Sequence, residues 1–550
     1  MLTSVRTRSW ALPALAGVAA AASALGVAEV VAAFVGPSSS PVTAVSGAIV
    51  DRIPRSLEQF GVQTLGHWDK PVLTVIILVV LAGIAVAAGI LARRRVAFGL
   101  LVFVAFAVIG VLATASRPDS TTMAVWPTVV GAGVGMAVLS LLVPRALAVE
   151  DSVRAAEPAD VGGAAGSASA AATTPAAVRA GAPVAPPPLP TLGGGAGSRR
   201  SFLYLAAGTT AAAAVVGGGG RLIGRWRGVS EERAAITLPK PADPAPPLPA
   251  GAKLDAEGVS PLFTPNSDFY RVDTAFVLPQ VNPKNYKLRI HGRVAREMEF
   301  TYQDLLDRPL VERDVTLTCV SNDVGGDLVG NARWLGVRLK DLLDEVEPDP
   351  DADQLVGRSA DGWTCGTPTA ACRDGRDALI AVGMNGEPLP VAHGFPVRMV
   401  VPGLYGYVSA TKWLVDLELS RFSDFDAYWV PRGWAQQAPI KVASRIDTPR
   451  AGAKVSDTVT VAGVAWAQHV GIAKVELKVD DGPWQQATLA AQDSIDTWRQ
   501  WRWDWKPSGS GDHVISVRAT NADGVTQPEQ YEPPAPDGSQ GWHSVDVTVR

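Results

Sequence analysis

The sequence predicts a multidomain chain in three successive parts: N-terminal transmembrane α-helices, an α+β domain, and a β-sandwich. Three observations predict it. Apolar runs of spanning length crowd the N-terminal third, mixed strand and helix periods begin near Pro261, and strict strand alternation with turn signals takes over from about Ala438. With 550 residues the chain is too long for one hydrophobic core.

The runs Trp10–Val35, Pro71–Ala92, Val96–Ala115 and Ala124–Val143 each approach or exceed the roughly 20 residues that cross a hydrocarbon core, and none has a polar face. They define a first region, residues 1–149. Arg6 and Arg8 precede the first run, Arg93, Arg94 and Arg95 separate the second from the third, and Arg145 and Arg154 follow the fourth. Positive charge stays on the cytoplasmic side, so the N terminus and these loops are expected there. Residues 150–197 are rich in Ala, Pro and Gly, too poor in large apolar side chains to fold, and read as a disordered linker. Then comes Ser198-Arg199-Arg200-Ser201-Phe202-Leu203 with a mild apolar run to Gly220, which resembles a twin-arginine export signal placed inside the chain. The competing reading is an ordinary fifth span with basic flanks. Either puts the chain after Arg221 on the extracytoplasmic face. Residues 221–261, with Pro-rich Leu238–Gly251, read as a second linker. The spans contain no histidine, and His67 is the only one before residue 290, so a bis-histidine haem inside the membrane is excluded.

The net charge of −4 gives no basic groove for nucleic acid. Three cysteines, Cys319, Cys365 and Cys372, make neither a disulfide framework nor a four-ligand zinc site. A Cys365–Cys372 bridge would still leave Cys319 unpaired. No Gly-x-Gly-x-x-Gly or P-loop pattern supports a nucleotide cofactor, and no His-Pro-Gly-Gly stretch supports haem. Within residues 262–436, a strand is expected over Tyr286–Gly292 and helices over Tyr302–Leu306 and Leu339–Val346. Within residues 437–550, Thr458–Ala462, Val475–Val479, Val514–Ala519 and Val545–Val549 alternate, and Asp480-Asp481-Gly482 and Asn521–Gly524 supply turns, as in an immunoglobulin-like sandwich. His469 and His543 fall in it as ordinary surface or strand residues.

Four stretches carry the chemistry. Leu317-Thr318-Cys319-Val320-Ser321-Asn322 offers a thiolate, a ligand suited to a soft redox metal; taken alone, a buried structural cysteine explains it better. Val329-Gly330-Asn331-Ala332-Arg333-Trp334-Leu335-Gly336-Val337 follows. Upstream lies Asn266-Ser267-Asp268-Phe269-Tyr270-Arg271-Val272-Asp273. Downstream, Asn385–Pro390 and His393-Gly394-Phe395-Pro396-Val397-Arg398 lead to Val401–Gly406 and Ser409-Ala410-Thr411-Lys412-Trp413-Leu414. In this order they resemble the molybdopterin-binding domain of the sulfite oxidases and related bacterial oxidoreductases, and residues 437–550 resemble that family's C-terminal dimerisation domain. The resemblance covers a little over half of the chain.

The resemblance implies an enzyme with a molybdenum–molybdopterin cofactor, Cys319 being the metal ligand. Phe269, Tyr270 and Arg271 would line the cofactor, with Arg271 beside the metal holding a substrate oxygen. His393, Arg398, Ser409 and Lys412 would hold the pterin and its phosphate, which needs cations and donors. Asp361 is a further pterin contact and Tyr428 a catalytic tyrosine over the metal; a core aromatic is an equal reading for Tyr428. Oxygen-atom transfer at sulfur follows, on a small-molecule sulfur substrate, with electrons passed to a separate carrier, a cytochrome or a quinone-linked protein. A homodimer through the C-terminal domain is the implied assembly.

Two departures stand against sulfite itself. Asp273 occupies the place of a histidine, and Asp323 and Asp327 follow Cys319 where a basic residue is common; acids lining the pocket would repel an oxyanion. An S- or N-oxide or methionine sulfoxide reductase of the same cofactor class is therefore the alternative. A non-enzymatic surface binding protein is the third reading, disfavoured by the ordered pterin-binding run.

Overall fold

A computed structural model of the protein describes residues 10–50, 52, 69–116, 122–155, 199–226 and 228–550. Arg6, Arg8, His67, Ser198 and residues 156–197 of the expected linker lie outside the described residues. The chain divides into a helical unit before Gly228 and a second unit, Gly228–Arg550.

The helical unit contains α1 (Ala11–Val35), α2 (Pro41–Val50), α3 (Asp69–Ala92), α4 (Val96–Ala115), α5 (Trp126–Ala155) and α6 (Arg199–Trp226). All but α2 are long and apolar enough to cross a membrane. Their outer faces expose Val79, Leu101 and Leu112, as lipid contact requires. The fourth apolar run was expected to end at Val143. Instead α5 passes through Pro144 to Ala155 and takes in residues 150–155 of the expected linker. Pro144 does not end the helix, because Arg, Ala, Leu and Glu after it are good helix formers, and the stretch long and apolar enough to cross a membrane runs Trp126–Ser152. Helix α1 packs closely on α6: a Cβ on Gly26 would stand 2.4 Å from the Ala213 carbonyl oxygen, so only glycine fits. Beyond it, Glu29 Oε1 accepts from the Ser40 hydroxyl at 2.7 Å and pairs with Arg221 at 3.2 Å.

In the second unit the stretch after Gly228, expected to be a linker, is instead fastened down. It opens with α7 (Ser230–Ala234). Arg233 donates to the Leu389 carbonyl at 2.8 Å and pairs with Glu387 at 2.8 Å. Asp243 and Asp377 each take both Arg313 and Arg338, closing a four-membered ring of ion pairs. A Pro-rich segment offers few backbone donors, so side chains hold it.

The α+β domain has two sheets. One is built from β1 (Lys287–Gly292), β2 (Met298–Thr301), β5 (Gln354–Ser359), β6 (Thr364–Pro368) and β10 (Leu414–Ser420), in the order β2-β1-β10-β5-β6 with β1 parallel to β10. The other is built from β3 (Val311–Thr318), β4 (Val329–Arg338), β7 (Leu379–Met384) and β8 (Glu387–Pro388), with β9 (Arg398–Val400) also on β7. Strand β7 is buried at every position, which explains its unbroken Leu-Ile-Ala-Val-Gly-Met sequence. Helix α8 (Tyr302–Leu306) starts on a capping box between Thr301 and Asp304. Helix α9 (Leu339–Val346) buries Leu339, Leu342, Leu343 and Val346, one stripe at helical spacing.

The C-terminal sandwich pairs one sheet of β11 (Ala443–Thr448), β13 (Val459–Trp466), β16 (Thr488–Leu489) and β17 (Arg499–Trp505) with another of β12 (Ala453–Val455), β14 (Ile472–Val479), β15 (Gln485–Gln486), β18 (Gly511–Asn521) and β19 (His543–Val549). Their inner faces meet through Val461, Trp501, Leu477, Ile515 and Val547.

Candidate active site

Cys319 follows directly on the last residue of β3, and the loop from it to β4 explains the motif spacing. The Cys319 amide donates to the Leu328 carbonyl at 2.9 Å, and Asn322 Oδ1 accepts from the Leu328 amide at 2.8 Å. Asn322 thus pins the loop that presents the thiol. Asn331, on β4, accepts from the Thr316 hydroxyl at 3.0 Å and donates to the Leu262 carbonyl at 2.8 Å. It locks β3 and the preceding strap to each other. Trp334 is fully buried, its indole N–H on the Val315 carbonyl at 3.1 Å.

Over this floor runs residues 264–273. Asn385 Nδ2 donates to the Thr264 carbonyl at 3.0 Å and to Asn266 Oδ1 at 2.9 Å. The Phe269 ring stands edge-on to Trp334 at 5.9 Å and to His393 at 5.5 Å, and it stacks on Tyr270 at 5.3 Å. Gly330 lies beneath it: a Cβ there would come within 2.9 Å of the Phe269 ring, so the aromatic can settle only on a glycine.

The third wall is the stretch from His393 to Lys412. The Trp413 amide reaches the Gly394 carbonyl at 3.3 Å, and the Met399 amide reaches Thr411 at 2.9 Å. This folds Lys412 back beside His393 and Arg398. His393 donates through Nε2 to the Asn266 carbonyl at 3.0 Å. Burial, then Arg398, pushes its pKa down to about 4, so the ring is neutral at neutral pH. Arg398 lies over the Trp334 ring at 4.8 Å and reaches only two carbonyls, His393 at 3.1 Å and Ala410 at 3.4 Å. Its Nε is buried without a partner. Burial lowers its pKa to about 10. Lys412, also buried, is pushed down to about 8 by burial, against the pull of Asp273.

Cys319 is a free, partly buried thiol. Burial raises its pKa, while the Ser321 N–H and hydroxyl, and the Lys412 charge, pull it back. Tyr270 is held well above the usual phenol range by burial and by the neighbouring Cys319, with Arg398 opposing. Seven side chains therefore form one cluster: Phe269, Tyr270, Arg271, Cys319, His393, Arg398 and Lys412. Asp273 joins them, taking Arg271 at 3.0 Å and Lys412 at 2.9 Å on one oxygen.

The expected residues outside that cluster make other contacts. Ser409 is fully buried, and its hydroxyl lies 2.9 Å from the Leu404 carbonyl and 3.0 Å from Tyr405 O, inside its own turn. Asp361 caps the β5–β6 hairpin by accepting from the Trp363 amide at 3.2 Å; the same hairpin touches the segment of Lys412, Ala360 donating to the Trp413 carbonyl at 2.8 Å. The Tyr428 amide donates to the Thr364 hydroxyl at 2.9 Å, and its ring packs against Trp429 and under the Arg432 guanidinium, 3.7 Å away. Cys365 and Cys372 are both free and buried. Asp323 and Asp327 are exposed, and Asp323 accepts from the Tyr531 hydroxyl at 3.1 Å. His543, read as an ordinary strand residue, accepts on Nδ1 from the Ile446 amide at 3.0 Å; its ring fills the space a Cβ on Gly325 would need, beside the Cys319 loop.

Sequence reading missed Gln468. From the sandwich it donates to the Thr316 carbonyl at 3.1 Å and the Thr318 hydroxyl at 2.9 Å, bracing the strand that ends in Cys319. Trp498 and Ser539 add to this: the Trp498 amide reaches the Thr316 hydroxyl at 2.8 Å, and the Ser539 hydroxyl the Asn322 carbonyl at 2.7 Å. Nothing local marks a glutamine in a sandwich loop as part of a distant site.

The donor set fits an anionic pterin with a thiolate-bound metal. Two cations, Arg271 and Lys412, hold one buried carboxylate, and the buried Arg398 Nε has no partner among the described residues, a donor suited to a phosphate oxygen. The family of the oxidoreductase molybdopterin binding domain matches residues 275–429, and that of the bacterial Ig domain residues 443–527. The chain is 30% identical over 325 residues to the mitochondrial sulfite oxidase of Drosophila melanogaster, covering 49% of this chain and 56% of that protein. It is 28% identical over 349 residues to the sulfite oxidase of Gallus gallus, covering 54% and 73%. It is 30% identical over 149 residues to the uncharacterized oxidoreductase YuiH of Bacillus subtilis (strain 168), covering 27% and 72%. Against the mitochondrial sulfite oxidases of fly, mouse and human it spans 56%, 61% and 62% of their length. With its thiol, cations and folded-back Lys412 segment in this arrangement, the chain belongs to the molybdopterin-dependent oxidoreductases of the sulfite oxidase type.

Proposed function

We propose that this protein is a membrane-anchored oxidoreductase that transfers an oxygen atom at sulfur, with its catalytic domain on the extracytoplasmic face and electrons exchanged with a separate carrier. The observation that carries it is the approach of one partly buried thiol to Lys412, beside a buried Arg398 that lacks an anionic partner. A bound molybdenum–pterin supplies the oxygen-atom and electron chemistry.

The chain's own residues do the rest. Cys319 would hold the metal as a thiolate, its charge favoured by the Ser321 donors and the Lys412 charge. Arg398 and His393 sit in the wall where a phosphate would be held, Arg398 through its free Nε. Arg271, 44% exposed and paired through Nε with Asp273, presents a guanidinium suited to a substrate oxygen. Tyr270 keeps its phenol proton throughout the working range and acts as a hydrogen-bond donor. In the oxidative direction, sulfite and water give sulfate, two protons and two electrons. The electrons leave one at a time to a cytochrome or a quinone-linked protein. The Arg199–Arg200 pair at the start of α6 and the Arg93–Arg95 loop support this orientation.

Metal analysis of the purified protein tests the reading, paired with assays on sulfite with an electron acceptor and on methionine sulfoxide with a reduced dye. Wild type is expected to carry molybdenum and turn over one of the two; Cys319→Ser is expected to lose turnover. Equal activity in both proteins would overturn it. The position of Asp273 favours the reductive direction as the second reading.

A further inference from the structure

Helix α1 is shaped to hold neighbours against its backbone. Gly89 of α3 meets it at Pro13 and Gly17, Gly131 of α5 meets it at Ala24, and its own Gly26 meets Ala213 of α6, each too close for a Cβ. The seam with α6 is the longest of these. A Cβ on Gly217 would stand 3.1 Å from Gly26 Cα, and one on Gly220 2.8 Å from the Val30 amide nitrogen. Toward the other end, Phe202 and Ala206 lie buried in one cluster with Leu12 and Ala16. Along the seam the residue numbers of both helices rise together, so α1 and α6 run parallel. With α3, α4 and α5 as three apolar helices of spanning length between them, alternate crossing of a membrane requires that same direction. Packing and connectivity thus agree without appeal to the flanking arginines.

A polar contact closes the seam. Glu29 lies near the end of α1, its side chain only 12% exposed, and Arg221 lies at the matching depth of α6. Arg221 Nη2 stands 3.2 Å from Glu29 Oε1, and the Ser40 hydroxyl donates to the same oxygen at 2.7 Å. A carboxylate on an apolar helix is costly unless a cation and donors hold it. If α6 were cut away after export, as a signal helix can be, Glu29 would keep Ser40 alone of these two partners. The backbone of α1 would also face lipid through the notch at Gly26. Neither feature suits a helix whose neighbour is temporary.

We infer that α6 is a resident span rather than a removable signal, docked in parallel on α1 with Glu29 receiving Arg221, and that the helices before it act as an in-chain receptor keeping the oxidoreductase unit at the membrane. The inference rests on the membrane-anchored reading above and gives the N-terminal helices a task separate from catalysis.

The test uses the full chain with a protease site inserted between residues 157 and 198 and an affinity tag after Arg550. Membranes are isolated, the mass of the uncut chain is measured, and the chain is then cut in mild detergent. The tagged piece is captured, and the share of the N-terminal piece that comes with it is read. Wild type should carry α6 in the uncut chain, and nearly all of its N-terminal piece should be captured. Gly26→Leu and Gly220→Leu should each lower the captured share about tenfold, because the added side chain meets backbone. Val215→Leu, on the 75% exposed side of α6, should behave as wild type. Should the leucine variants fail to accumulate, the charges decide: Glu29→Ala and Arg221→Ala should each release more of the N-terminal piece, and the exchange Glu29→Arg with Arg221→Glu should restore capture. A wild-type chain that has lost α6, wild-type pieces that separate on cutting, or capture unchanged in the seam and charge variants overturns the inference. Failure of the membrane-anchored reading looks different: the intact chain would be recovered from the soluble fraction without detergent.

Discussion

Arg398 is a charge held where a charge is costly. Burial lowers its pKa and leaves its Nε without a partner, a cost on the order of 3 kcal/mol. Arg398→Met should therefore leave the cofactor-free protein as stable as wild type or more so, while retained molybdopterin and molybdenum fall sharply. Denaturant unfolding and metal analysis on the same preparations check this; a variant that is less stable yet retains its metal would refute it. His393 gives a pH-dependent counterpart. Its folded pKa, about 4, lies below the ordinary 6.5. The neutral ring's contribution is thus fully present above pH 6.5 and is lost as pH falls toward 4, up to about 3 kcal/mol. Wild type should lose that much more stability than His393→Gln between pH 7.5 and pH 4, and parallel curves would exclude it. Both residues were legible in the sequence, because the His-Gly-Phe-Pro-Val-Arg run fixes their spacing. The use of the Ser409 hydroxyl was not, since nothing in Ser-Ala-Thr-Lys tells whether it turns to a ligand or to its own backbone. Asp273 was visible only as a departure, and its double pairing needed Lys412 to be placed 139 residues downstream.

Among elements, the β3–β4 hairpin carries the site. Its loop is closed by Asn322, its floor is Trp334, and its fit to the overlying segment depends on Gly330. Gly330→Ala forces a methyl into the Phe269 ring, an overpacking worth about 1–3 kcal/mol. The ring adjoins Tyr270 and Arg271, so the variant should also raise KM, where an equally destabilising change in the sandwich would not. Such elements were readable because local pattern and packing agree: α9 has its stripe and β7 its apolar run. What escaped was pattern overruled by context. Pro144 and Arg145 look like the end of a span yet α5 continues through them, and the Pro-rich stretch around Asp243 looks like a tether yet is held by two arginines of the sheet. Neither interaction leaves a periodic trace.

At the scale of the molecule, the helices that can cross a membrane and the unit from Gly228 onward are separate bodies, so topology can be probed independently of catalysis. Alkaline phosphatase fused after Arg550 should be active in cells, and the same enzyme fused into the Arg93–Arg95 loop inactive; the reverse pattern would place the catalytic domain in the cytoplasm. Gln468 connects the second unit's two folds. Gln468→Ala leaves the buried Thr316 carbonyl without that donor and should cost about 1–3 kcal/mol. It should also lower molybdenum occupancy, although the residue lies in the sandwich.

The sandwich's grip on the Cys319 strand has an evolutionary consequence. A module joined only by a tether can be exchanged for another by recombination. Here an exchange would strip Thr316, Thr318 and Asn322 of their partners Gln468, Trp498 and Ser539 at a stroke. A protein with the first fold alone would have to hold that strand by other contacts.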